Sequence, residues 1–339
     1  VAEPARFSDE LYRVLSTPAL YQELAMKGRS LVVGHYDWNK ISHDLGRKIR
    51  LLHTSCEPYF SVIVPTKRGN LDVLIDALNN QEYRGFEVII IDAGENREES
   101  LQKKCTFPVV YINDPSAGAV RARNIGIAHA TGRIIAFTDD DCRPDPEWLE
   151  HAKEMLESRD IIGIEGDIYS DDEKREDSRY RIVTNEGFRG LGFMTANLFL
   201  CRDIIERIDG FDERFDKPHF REDTDLAWRA QHYGEIPFGD RVRVYHPPHL
   251  RNEKGESKQE RDRFFINDPL LFSKHPEKYI RLIKAEGHYR NNPNFWKMFR
   301  EGCKRISGSL PLHYLIHDPD IRKFIPPDLI SEQEKSAEL

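Results

Sequence analysis

The 339 residues carry 50 Lys and Arg against 58 Asp and Glu, a net charge of -8, with 39% hydrophobic and 32% charged residues. That balance suits one large water-facing α/β domain with additions at either end; it excludes extensive disorder and gives no general reason to bind nucleic acid. Cys56, Cys105, Cys142, Cys201 and Cys303 are odd in number, scattered and never in a CxxC pair, which argues against a disulfide framework and a zinc site.

No apolar run reaches the length of a bilayer span. The opening VAEPARFSDELYRV lacks a basic start and an apolar stretch, so nothing in it directs the chain out of the cytosol, and without Met it reads as a fragment. Residues 7–54 read as helices, with apolar positions at Leu11, Val14 and Leu15, then Leu20, Leu24 and Leu31, then Trp38, Ile41, Leu45 and Ile49.

The pattern changes after Pro58. YFSVIVP is a nearly continuous β-branched run of the kind buried in a parallel sheet. Leu71, Leu74, Ile75 and Leu78 then share a helical face, FEVIIID (86–92) gives a second strand, and VVYI (109–112) a third. AVRARNIGIAHA reads as a helix and RIIAFTD as a fourth strand. Strands alternating with helices predict a parallel, doubly wound sheet, whose ligands collect at the carboxyl ends of the strands. The expected organisation is a helical extension over 1–57, an α/β domain over 58–250 and a helical region over 251–339.

Pro65 and Thr66, Asp92, and Asp139, Asp140 and Asp141 all fall at predicted strand ends on one edge, where a donor is expected. Asp92 suits hydrogen bonds from a ribose or a uracil-like base, or else a tight Asp-Ala-Gly turn. Three consecutive carboxylates at the end of an apolar strand repel one another unless a cation or water relieves them. Oxygen-only ligands favour Mg²⁺ or Mn²⁺ shared with a diphosphate; the alternative is a solvated loop or a cap on the helix near Pro146. In FREDTDLAWRAQHYG, Glu222 and Asp223 lie near a helix N-terminus, which favours an ionised carboxylate able to accept a proton, or else they are simply first-turn charges. His246 ends the apolar strand RVRVYHPP as a third metal ligand or a structural histidine, and His249 is a weaker candidate. Gly192 to Asn197 reads as a packed strand or an acceptor contact.

Over residues 60–246 these segments occur in the order found in family 2 glycosyltransferases. SVIVPTKRGNLDVLIDAL resembles the family's opening strand and helix, VIIIDAGENREES its nucleoside-binding strand end, and GAVRARNIGIAHATGRIIAFTDDDCRPDPEWLE its central signature. The resemblance implies a GT-A fold: a Rossmann-like, mostly parallel sheet flanked by helices. It implies transfer of a sugar from a nucleotide-sugar donor to a glycan or lipid-linked acceptor with inversion. It also implies nucleotide contacts at Thr66 and Asp92, a metal-binding pair at Asp139 and Asp141, help from Arg123, and Asp223 as base. Glu222 would orient the acceptor or a neighbouring basic group, while Asn124 and Gly126 read as helix packing or structural hydrogen bonding. Lys67 and Arg68 depart from the family's usual residues after Pro-Thr, as does Ala93 after Asp92.

LYRVLSTPALYQELAMKGRSLVVGHYDWNKISHDLGRKI resembles the closing helices of a family 4 GT-B glycosyltransferase, which implies a preceding GT-B module in tandem; the alternative is an unrelated helical extension. Residues 251–305 carry 14 Lys or Arg against 8 Asp or Glu, as a solvated helical face, an anionic-acceptor surface or a peripheral membrane contact at the inner face of the membrane would. Two other functions remain open at this level. One is a sugar-nucleotide nucleotidyltransferase, which would need a glycine-rich phosphate loop that PTKRGN does not supply. The other is a non-catalytic nucleotide-binding module.

Overall fold

The computed structural model describes residues 16–17, 58–67, 71–94, 101–253, 257–306, 310–327 and 329. Contacts divide the chain into two compact units, Val1–Glu57 and Pro58–Leu339, and the architecture below is that of the second. The expectations for residues 1–57, the GT-B-like tail among them, and for Arg68 lie outside the described residues.

The strands are β1 Phe60–Thr66, β2 Phe86–Asp92, β3 Val109–Asn113, β4 Ile134–Phe137, β5 Arg143–Pro144, β6 Gly163–Tyr169, β7 Tyr180–Arg181, β8 Leu198–Cys201, β9 Phe238–Tyr245 and β10 His249–Leu250. Eight of them form one sheet in the order β3-β2-β1-β4-β8-β6-β9-β5, and β10 pairs with β7 apart from it. β1 lies parallel to β2 and β4, and β2 to β3, in the expected crossover pattern. Helices α1 Asp72–Asn79, α2 Leu101–Lys104 and α3 Ala119–His129 supply those crossovers.

Two strands depart from a purely parallel sheet: β8 runs antiparallel to both β4 and β6, and β5 antiparallel to β9. No helical crossover leads from β6 to β8. The chain instead returns through a loop and a 3₁₀ turn at Thr195–Asn197, so residues 192–197 are not the strand expected there, which begins only at Leu198. Asn197 is wholly buried and fixes that turn: its Oδ1 accepts from Trp148 Nε1 at 2.8 Å, and its Nδ2 donates to the carbonyls of Asp167 at 2.9 Å and Val242 at 2.8 Å.

Alternation along the strands divides the core between the two faces of the sheet. Val62, Val64, Val88, Ile90 and Ala136 pack with α1 and with α4 Trp148–Ser158. Ile63, Ile89, Ile91, Ile135 and Phe137 pack on the other side with α3, α5 Arg202–Arg207 and α6 Glu222–Ala230. Gly126 belongs to this second layer, since a Cβ there would come within 2.5 Å of Ile63. Asn124 ties α3 to the following segment by donating to Phe211 O and accepting from Phe211 N.

The carboxyl-terminal helices are α7 Lys258–Asp262, α8 Asp268–Lys274, α9 Pro276–Glu286, α10 His288–Asn291, α11 Phe295–Cys303, α12 His313–His317 and α13 Pro319–Arg322. They extend the same core: Phe272, Tyr279, Phe295 and Phe299 are fully buried in the cluster that holds Leu226 and Trp228 of α6. Each such side chain is worth about 1.5–3 kcal/mol of burial, so this region forms part of the folding unit. Several of its cations are held by carboxylates, Lys274 by Asp212 and Asp225, Lys284 by Asp318 and Asp320, and Lys304 by Glu301. Among the described residues no helix is long and apolar enough to cross a membrane.

Candidate active site

The carboxyl ends of β1, β2 and β4 bring the first group of residues together. The in-register pairing of β1 and β2 sets Thr66 opposite Asp92. Thr66 Oγ1 donates to Asp140 Oδ2 at 2.7 Å, so Asp140, buried like Thr66, ties the acidic loop to the end of β1. Asp92 is buried, with Oδ1 accepting from Gly94 N at 2.7 Å and Oδ2 accepting from the Tyr111 hydroxyl. The Asp92–Gly94 bond is the tight turn that the sequence allowed. Tyr111, the middle residue of β3, was not singled out from sequence, where it reads as one more residue of the third strand.

Asp139 lies beside Arg123, whose guanidinium donates to Asp139 Oδ1 at 3.2 Å and to Glu222 Oε1 at 3.1 Å. Arg123 is 5% exposed and Glu222 3%, so this is a buried charged chain between α3, the acidic loop and α6. It is incompletely satisfied: Arg123 Nε and Glu222 Oε2 have no hydrogen-bond partner. Asp223 follows Glu222 in the first turn of α6; Oδ1 accepts from Thr224 N at 2.7 Å and Oδ2 from Thr195 N at 3.4 Å. Part of its surface stays open to solvent although protein surrounds it, as for a group on the floor of a cleft.

At Asp223, burial opposes the preference of the helix end for an ionised carboxylate. Burial, followed by the neighbouring Glu222 charge, pushes its pKa up to about 7, outweighing the bonds from Thr224 and Thr195 and the pull of Arg123. Burial raises Glu222 as well, against the opposing effect of Arg123.

Asp141, His246 and His249 each offer a ligand atom, all within 4.8 Å of one another. His246 Nε2 is 3.9 Å from Asp141 Oδ1 and His249 Nε2 3.5 Å from Asp141 Oδ2. His246 Nδ1 lies 3.0 Å from Pro247 O; a carbonyl can only accept, so Nδ1 carries the proton and, in the neutral ring, Nε2 presents its lone pair towards Asp141. A second grouping, of Asp139, Cys142 and His246, shares that histidine, but Cys142 is buried and its thiol is pushed up by burial and then by Asp139 and Asp141. Imidazole nitrogens of His246, the third ligand expected from sequence, and of His249, the weaker candidate, thus lie with Asp141, while Asp139 groups with His246 and Cys142 instead. The donor set fits a divalent ion. The β10–β7 pairing that carries His249 into place is a long-range contact with no mark of its own in the sequence.

Residues 61–221 match the family model described as glycosyl transferase family 2. The chain is 28% identical over 214 residues to the glycosyltransferase AglE of Haloferax volcanii, covering 57% of this chain and 68% of that protein. It is 27% identical to the amylovoran biosynthesis glycosyltransferase AmsB of Erwinia amylovora, over 52% of this chain and 64% of that one. Against the pre-mycofactocin glycosyltransferase of Mycobacterium tuberculosis the match, 27% identical, spans 41% of the relative's length. In fold, the chain is similar to residues 1–349 of TarS from S. aureus, with a TM-score of 0.50 at 16% identity over 75% of this chain and 82% of that one. These likenesses set aside the nucleotidyltransferase alternative: over residues 61–221 the chain is similar to glycosyl transferase family 2, and it is a glycosyltransferase built on the GT-A fold.

Proposed function

We propose that the chain moves a sugar from a nucleotide-sugar donor to a hydroxyl of a glycan or lipid-linked acceptor, with inversion at the anomeric carbon and Asp223 as the base. The observation that carries this reading is the setting of Asp223: a partly open carboxylate poised near pH 7, joined through Glu222, Arg123 and Asp139 to the acidic loop.

Pro65, Thr66 and Asp92 bound the nucleoside side, Asp140 fixing Thr66 for that role. Asp139 and Arg123 face the diphosphate. Asp141, His246 and His249, with Asp139 beside them, would hold Mn²⁺ or Mg²⁺, which when bound offsets negative charge on the leaving group. Asp223 accepts the proton of the acceptor hydroxyl as that oxygen bonds to the anomeric carbon from the face opposite the diphosphate. The carbon–oxygen bond to the diphosphate breaks, and its electron pair leaves on the nucleotide. Glu222 keeps Arg123 oriented while both charges change their surroundings.

The test begins with a screen of UDP-, GDP- and dTDP-sugars for Mn²⁺-dependent thermal stabilisation of the full chain, because a donor that binds only the folded state raises its apparent stability. The product made from the best donor is then read by anomeric proton coupling in NMR. An inverted anomer supports the proposal, and a retained one contradicts it.

A further inference from the structure

Arg221, the residue before the Glu222–Asp223 pair, has a left-handed backbone, φ 76° and ψ -3°, a conformation that glycine adopts far more readily than a side chain of this size. Its carbonyl accepts from Asp225 N at 2.9 Å and so starts the helix that carries both carboxylates. Strain is placed here, directly at the site.

The side chain shows what holds it. Arg221 is 3% exposed, and its guanidinium grips Glu286 through two bonds of 2.7 Å and Asp268 through one of 2.9 Å. It also lies over the Phe220 ring, 4.3 Å from the centroid. Tyr279 Oη donates to the same Asp268 oxygen at 2.9 Å. One residue before Asp268, the Asn267 amide donates to the carbonyls of Pro218 at 2.6 Å, Phe220 at 3.1 Å and Phe215 at 3.3 Å. The last turn before the catalytic pair is therefore gripped by side chains from residues 267–286, outside the matched family segment 61–221.

We infer that Arg221 is a positioning residue: clamped by Asp268 and Glu286, it sets the backbone from which Asp223 reaches the acceptor, making the carboxyl-terminal helices a working part of the active site. This rests on the proposed role of Asp223. A bidentate guanidinium–carboxylate pair fixes direction as well as distance, which a lysine at the same place could not.

The experiment compares the full chain with its E286Q, R221K, R221G and D223N variants, measuring nucleoside diphosphate release from the UDP-, GDP- and dTDP-sugar panel with Mn²⁺, thermal unfolding, and amide hydrogen exchange. The clamp predicts that E286Q and R221K lower kcat at least tenfold, with donor KM within twofold and faster exchange confined to residues 216–225. R221G, which keeps the backbone free to adopt the left-handed conformation but removes the clamp, falls as far. Unchanged kcat in E286Q, or exchange that rises throughout 258–327 in proportion to a lower melting temperature, overturns the inference and leaves a purely structural tie. With D223N inactive, that outcome removes the clamp alone; D223N at the wild-type rate removes the base assignment and the clamp's role with it. If no sugar in the panel turns over, the exchange pattern decides, confined for a clamp and spread for a tie.

Discussion

Arg123 Nη1 lies 3.1 Å from Glu222 Oε1, an ion pair across 99 positions of sequence with both side chains almost wholly buried. Taking one partner from such a pair leaves an uncompensated buried charge, which costs about 3–5 kcal/mol. R123M is therefore expected to lower the melting temperature by ten degrees or more. The double variant R123M/E222M, with neither charge left behind, should recover most of that loss. Calorimetry of the four proteins checks it; equal losses in the single and double variants would contradict the pairing.

Activity should follow the ionisation of Asp223. A base must be unprotonated to act, so kcat/KM is expected to rise with pH and level off above about 7, the value to which burial and Glu222 raise this carboxyl. The E222Q variant removes the nearby negative charge, and its inflection should move to lower pH. A pH–rate profile of both proteins measures the shift, and an inflection that moves upward would contradict the coupling.

The same group has an opposite effect on stability. An unfolded Asp titrates near 3.8, so between about pH 4 and pH 7 the folded state holds a proton that the unfolded chain has lost, and folding weakens as pH rises through that window. At pH 8 the ionised carboxylate costs on the order of a few kcal/mol. D223N avoids this but leaves Thr195 N without its acceptor, which takes back about 1 kcal/mol. D223N is expected to melt higher than the wild type at pH 8 and to lose that advantage near pH 4. Thermal unfolding across this range gives the answer, and a gap that widens on acidification would contradict it.

The parts of the fold and site that could be read from sequence are those with local periodicity or a strand end. Phe86 to Asp92 is a strand at the expected limits, and the Leu71, Leu74, Ile75 and Leu78 face is buried as its spacing requires. The sequence was a poorer guide where position depends on distant chain. Asn197 settles into a turn because Trp148, Asp167 and Val242 supply its partners, and no local pattern distinguishes that from a strand. Helix position favours an ionised Asp223, whereas the burial that opposes it comes from segments distant in sequence, such as Thr195. Arg221 carries no local signal of its place, because Asp268 and Glu286, its partners, come from helices some fifty and sixty-five residues on.

If Asp141, His246 and His249 share an ion, H246A and H249A should each weaken Mn²⁺ binding by about a hundredfold, since losing even an outer-shell partner costs about 10–100-fold. Calorimetric titration of Mn²⁺ in the presence of UDP measures this. H249A with wild-type affinity would remove His249 from the set.

The central claim, that Asp223 is the base, is tested most directly by the single-turnover rate of sugar transfer in D223N, with donor affinity measured on the same protein. Loss of a general base predicts a rate lower by about 10²–10⁴-fold with donor affinity kept; transfer within threefold of the wild type would contradict it.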